Sequence, residues 1–150
     1  MKKCIFPPTM KRVSESTKPF INASIRDKTI QTLKMYKGST KELIDERIKT
    51  LDYEWDTERC LETNASLIVL ISSVLGLKTS RCWFLLTGTV GFFLLWHALF
   101  GWCPPLPFLR EAGVRTSEEI HCEKTVLKVF QGEFNNTNID IDELYLRAEK

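Results

Sequence analysis

Apolar and polar positions are segregated along this chain. From Ser66 to Trp102 only Lys78 and Arg81 carry full charge, whereas charges are dense on either side. Two apolar runs fill that window, Ala65 to Leu77 and Phe84 to Trp102, joined by Lys78 to Trp83. His97 is the sole ionisable side chain of the second run. At about 1.5 Å of rise per residue, Trp83 to Trp102 covers roughly 28 Å. That matches the ~30 Å hydrocarbon core of a bilayer, with an indole at each boundary where aromatic belts sit. The first run is short for a span, but it can recruit Leu61 to Asn64, or the bilayer can thin. So short a link can reverse a helix but cannot form a domain. The pattern predicts an antiparallel transmembrane hairpin, over about 65–77 and 84–102.

The flanks carry amphipathic patterns. Ser39 and Glu42 fit a capping box, in which each side chain satisfies a backbone N–H at the helix start. Ile44, Ile48, Leu51 and Trp55 then fall on one stripe, predicting a helix over about 40–62. The mixed acids and bases of its other face read as solvated. Pro104, Pro105 and Pro107 end the second span, since proline cannot continue the helical ladder, and predict an extended or turning run to Arg110. Thr116 and Glu119 form a further capping box. It opens a helix over about 117–131, with Ile120, Val126, Leu127 and Phe130 apolar and Gly132 as its stop. Residues 1–38 read as a basic, turn-rich, partly disordered arm with a weak helix at Ile21 to Tyr36. Residues 135–150 read as a polar tail with a short helix at Ile141 to Arg147. The expected fold is all-α.

Composition alone would suggest an ordinary soluble protein, with 43% hydrophobic and 27% charged residues and a net charge of +2. The near-neutral balance argues against nucleic acid, which needs a concentrated basic face. Lys and Arg number thirteen before Ala65, two in the hairpin loop and six after Trp102. The positive-inside rule then places both flanks in the cytoplasm and the loop outside. The five cysteines include no CxxC pair, which is neither a zinc spacing nor a disulfide framework. The Asn64-Ala-Ser66 and Asn135-Asn-Thr137 patterns would not reach a glycosylating lumen in this topology. The start, MKKCIFPP, lacks the apolar core of a secretory signal. A soluble alternative, with the two runs buried in a helical bundle, needs amphipathic partners to cover them, and the flanks offer narrow stripes only.

Four segments occur in order: YEWDTERCLETNAS, the apolar hairpin, HALFGWCPPLPFLREAGVRT, and EEIHCEKTVLKVFQGEF. Together they resemble the YgaP-like transmembrane domain family over roughly residues 40–134, so that 39–134 forms one membrane unit. The most specific piece is the second span followed by Gly101-x-Cys103-Pro104, then Gly113 and Thr116. The resemblance implies a two-helix hairpin of the bacterial inner membrane, often self-associating, without a generally established activity. Some members are fused to a rhodanese domain that moves sulfane sulfur. These residues hold no such domain, so sulfurtransferase activity is not carried over.

Few residues could carry chemistry. Cys103 lies where the second span meets the cytoplasm. Exposure and nearby Arg110 would favour thiolate, as a sulfur acceptor, a redox thiol or a palmitoylation site. The alternative is a small residue shaping the turn into the prolines. His97 is an intramembrane polar residue, and such groups are functional candidates by default, although a neutral imidazole can also bond across a helix seam. A His97–Cys103 metal site would need further ligands, with His121 and Cys122 the obvious suppliers. No metal or cofactor is expected. Trp83 and Trp102 are the membrane-interface anchors. Ser72, Gly76, Thr87, Gly88 and Gly91 are the small residues expected to pack helices closely, in the hairpin seam, a homodimer or both. No catalytic motif is present. The expected role is a non-enzymatic anchor that oligomerises and meets an unknown protein partner. A Cys103 sulfur or redox accessory is the second reading, and the soluble bundle the third.

Overall fold

The structure, a computed structural model, describes residues 7–132. Those residues form seven helices and no strand: α1 (Arg12–Glu15), α2 (Pro19–Tyr36), α3 (Lys41–Asp52), α4 (Thr57–Lys78), α5 (Trp83–Phe100), α6 (Leu106–Glu111) and α7 (Ser117–Phe130). The expected tail helix at Ile141 to Arg147 lies outside the described residues.

The hairpin is α4 and α5. As α4 is followed back from Gly76 through Ser72 to Ile68, its partners on α5 advance from Phe84 through Thr87 to Val90. This is the antiparallel pairing expected of a short link. Both helices are long and apolar enough to cross a membrane. In the most apolar stretch of α5 only 6% of residues are buried, whereas a soluble bundle would cover such a helix on most sides. Its leucines and phenylalanines face outward instead, with Leu85, Phe92 and Leu95 all more than half exposed. That surface suits hydrocarbon, and it removes the support for the soluble-bundle reading.

The first span is longer than the apolar run suggested, because the flanking helix ends early. The helix expected over 40–62 is broken between α3 and α4. Asp56 caps α4, its carboxylate accepting the Arg59 N–H at 2.8 Å. A capping aspartate satisfies a donor that would otherwise be orphaned in the first turn. Residues 57–62 therefore belong to α4, the helix of the first span, and Trp55 leaves the α3 stripe for solvent, 47% exposed. The Ser39–Glu42 capping box does not form. Thr40 is the N-cap of α3 and makes no side-chain cap bond, while Ser39 donates back to the Met35 carbonyl.

The basic arm also differs from expectation. Where partial disorder was expected before Ile21, α1 packs Val13 against Leu61, Cys103 and Leu106. Pro19 then starts α2, where a missing N–H costs nothing. The run after the second span is likewise not extended. Pro105 and Pro107 stand at the start of α6, which prolines tolerate in its first turn. Leu106 and Arg110, four apart, are both buried beneath it. In α7 the Thr116–Glu119 capping box forms as read.

Candidate functional site

At one end of the hairpin the small helices form a collar. Ile44 and Leu51 of α3 and Leu127 of α7 make a compact core, with Leu33 and Tyr36 of α2 against it. Around this core, charged side chains are enclosed. Arg115 pairs with Glu54 through two bonds, of 2.7 and 2.5 Å, and also with Glu123. Glu123 in turn accepts from Arg47 at 3.0 Å. The carboxylate of Glu123 is wholly buried. Burial opposes the charge on Arg115, but the hydrogen bonds it donates to Glu54 and Glu123 outweigh it and hold its pKa above the usual arginine range.

A second node sits beside it. Arg110, its side chain fully buried, forms a fork on Glu119 with both bonds at 2.7 Å. It also donates to the Val114 carbonyl and to the Asn22 side chain. Glu119 thus serves two ends, accepting from the Thr116 backbone N–H as well. Burial alone would raise the Glu119 pKa, but Arg110 and the Thr116 N–H reverse this and lower it. Bidentate arginine pairs of this kind fix geometry as well as charge.

Three further contacts fasten the collar to the spans. The Arg115 carbonyl accepts the Thr57 N–H at 2.8 Å and the Thr57 hydroxyl at 2.9 Å, closing the start of α4. Arg12 grips Glu58 with bonds of 2.6 and 2.9 Å. Ser16 donates to the Phe100 carbonyl at the end of α5 at 3.0 Å. The carboxylates of the segment over 42–62 are expected on a solvated face. For Glu54 and Glu58 that is wrong, since both are half-buried and paired. A readable signal existed for Glu123: it interrupts the apolar stripe of α7 between Ile120 and Leu127. Its partner Arg115 carried none, because their meeting depends on tertiary packing.

Small residues divide into two groups. The Ser72 and Thr87 hydroxyls meet at 2.7 Å across the seam. A β-carbon on Gly76 would come within 2.9 Å of the Phe84 ring, so its absence lets the spans close there. Gly88 and Gly91 do not join the seam; both are exposed, with open space where a β-carbon would stand. Trp83 and Trp102 bracket α5, 38% and 41% exposed.

Cys103 lies elsewhere than its candidate chemistry requires. It is only 5% exposed, packed with Val13, Leu61 and Leu106. Burial raises its pKa more than the Leu106 N–H lowers it. Arg110, committed to Glu119, supplies no thiolate-stabilising contact. This is the setting of an inert thiol rather than a reactive one. Among the described residues, Cys82 and Cys122 are the exposed thiols. Among the described residues no group of three or more His, Cys, Asp or Glu side chains is placed to hold a metal.

His97 is buried, 7% exposed, and neither ring nitrogen has a hydrogen-bond partner. It lines a cavity of about 450 Å³ between α4 and α5, whose walls include Ala65, Ile68, Phe93 and Leu94. Cys103, Pro104 and Pro105 close the end nearest the collar.

Comparison with known proteins supports the same placement. A family model described as "Inner membrane protein YgaP-like, transmembrane domain" matches residues 56–119. That is narrower than the resemblance read over 40–134, and it begins at Asp56, the cap of α4. No curated protein matches. No solved structure matches. The matched stretch holds both spans, the proline-led α6 and the collar residues Arg110 and Arg115, and over residues 56–119 this membrane protein is similar to the YgaP-like transmembrane domain.

Proposed function

We propose that the chain is a non-enzymatic anchor of the bacterial inner membrane. In this reading the hairpin holds the protein in the bilayer and associates with further copies. The collar lies in the cytoplasm and presents a rigid surface to a protein partner. The observation that carries it is the division of labour between faces. The collar's buried arginines Arg110 and Arg115 pair with Glu119, Glu54 and Glu123 within the collar, while the spans leave their apolar faces open to lipid. The excess of Lys and Arg on both flanks over the loop supports a cytoplasmic collar. The open Gly88 and Gly91 positions support close approach of a second helix.

Two experiments test this. Cys82 in the loop and Cys122 in the collar are both exposed, so an impermeant maleimide reads topology directly. Labelling of Cys82 in intact cells, with Cys122 reached only after permeabilisation, supports the orientation; the reverse pattern overturns it. Oxidative cross-linking of a Gly88→Cys chain in native membranes should trap dimers. Absence of dimers from Gly88→Cys and Gly91→Cys chains alike would remove the self-association.

A further inference from the structure

The cavity between the spans has the features of a built site. Its volume, about 450 Å³, falls within the range of small-molecule sites. It begins where the seam ends, one turn beyond the Ser72–Thr87 bond, and Ile68 at its edge is 42% exposed on the hydrocarbon-facing surface. An occupant therefore enters from the lipid phase. The wall is almost wholly apolar, and no charged side chain lines it. An anionic headgroup would find no counter-charge, since Arg12 nearby is committed to Glu58.

His97 interrupts the apolar wall. His97 is enclosed to better than nine-tenths, and both ring nitrogens lack a protein partner. Buried polar groups in folded proteins are nearly always hydrogen-bonded, and an exception calls for a partner. A neutral imidazole offers one N–H donor and one acceptor. Asn64 brings a further amide to the same wall, but its NH₂ is bonded to the Cys60 carbonyl at 2.7 Å.

We infer that this cavity binds a neutral lipid-phase molecule, an apolar chain or ring carrying a carbonyl or hydroxyl oxygen, with that oxygen hydrogen-bonded to His97. A membrane quinone and a neutral glyceride share this chemistry. The apolar part lies against Ile68, Phe93 and Leu94, and the oxygen sits toward the collar.

The test uses the full chain in phosphatidylcholine vesicles with two diazirine probes, a short-chain benzoquinone and a diacylglycerol. Photoadducts should concentrate on Ile68, Phe93 and Leu94, and the unlabelled form of the better probe should compete them. That competition identifies the source. His97→Phe should weaken it about tenfold, the scale of one lost hydrogen bond, while His97→Gln should retain it. Ala65→Phe, which fills the cavity and leaves His97 in place, should abolish the adducts. If His97→Phe does not fold, the other two variants carry the test. Adducts spread evenly onto Leu70, Phe92 and Leu95 would mean annular lipid only and would overturn the assignment. So would competition unchanged by Ala65→Phe, or Ala65→Cys chains that join as disulfide dimers in place of labelling, since the cavity would then hold a second copy.

Discussion

Gly101 lies so close beneath Arg12 that a β-carbon there would fall 2.3 Å from the Arg12 carbonyl carbon and oxygen. The glycine also has φ near +75°, the left-handed region that side chains avoid. Its own N–H closes α5 on the His97 carbonyl at 2.7 Å. One residue thus ends the second span and seats α1 on it. Gly101→Ala should release α1 and destabilise the fold by about 2 kcal/mol or more, since strain and contact both count. Faster proteolysis within residues 7–18, with the hairpin still in the membrane, is the expected reading.

Arg115, between α6 and α7, joins Glu54, between α3 and α4, to Glu123 of α7, whose side chain has no exposed surface. Arg115→Met should cost about 3–5 kcal/mol, because it strands a buried carboxylate with Arg47 alone. Arg115→Lys should rescue little, since a single ammonium cannot reproduce the fork. Thermal unfolding in detergent measures both. A lysine variant as stable as the native chain would show that charge alone suffices.

Glu119 titrates below the usual carboxylate range because Arg110 and the Thr116 N–H stabilise its charged form. Its contribution to stability is present above its unfolded pKa of about 4.3 and is lost as pH falls through the lower folded value. The melting temperature should therefore fall on acidification below about pH 4.3. Glu119→Gln should start lower and respond less over that window.

Cys103 should react slowly. Burial favours its protonated form, and a thiol must be both exposed and ionised to attack. At pH 7.5, maleimide should modify Cys82 and Cys122 in detergent well before Cys103. Cys103→Ala should leave any partner binding intact and cost about 1 kcal/mol or more for the space it leaves among Val13, Leu61 and Leu106. Rapid labelling of Cys103 would revive a sulfur or redox role.

The Ser72–Thr87 bond tests the seam. Within a membrane such a bond is worth about 0.6 kcal/mol, as the separated helices find other partners. Ser72→Ala with Thr87→Val in a double-mutant cycle should return a coupling of that size. Gly76→Leu should do more harm, because its side chain meets the Phe84 ring.

The sequence by itself determined the hairpin. Two long apolar runs, a link too short for anything but a reversal, and tryptophans at bilayer spacing are local facts that survive any packing arrangement. The Thr116–Glu119 capping box was equally local, since both partners lie within one turn. Tertiary structure decided the rest. The capping box expected at Ser39 does not form because its hydroxyl turns back to the Met35 carbonyl, and the helix over 40–62 breaks before Asp56, where Glu54 turns toward Arg115. Glu54 and Glu58 looked solvated because their partners are distant in sequence, Arg115 lying 61 positions and Arg12 46 positions away. Cys103 looked exposed because its cover, Val13, arrives from the far end of the chain. Periodicity records which face of a helix is apolar, but only the assembled fold decides which polar groups meet there and which, like His97, are left without a protein partner.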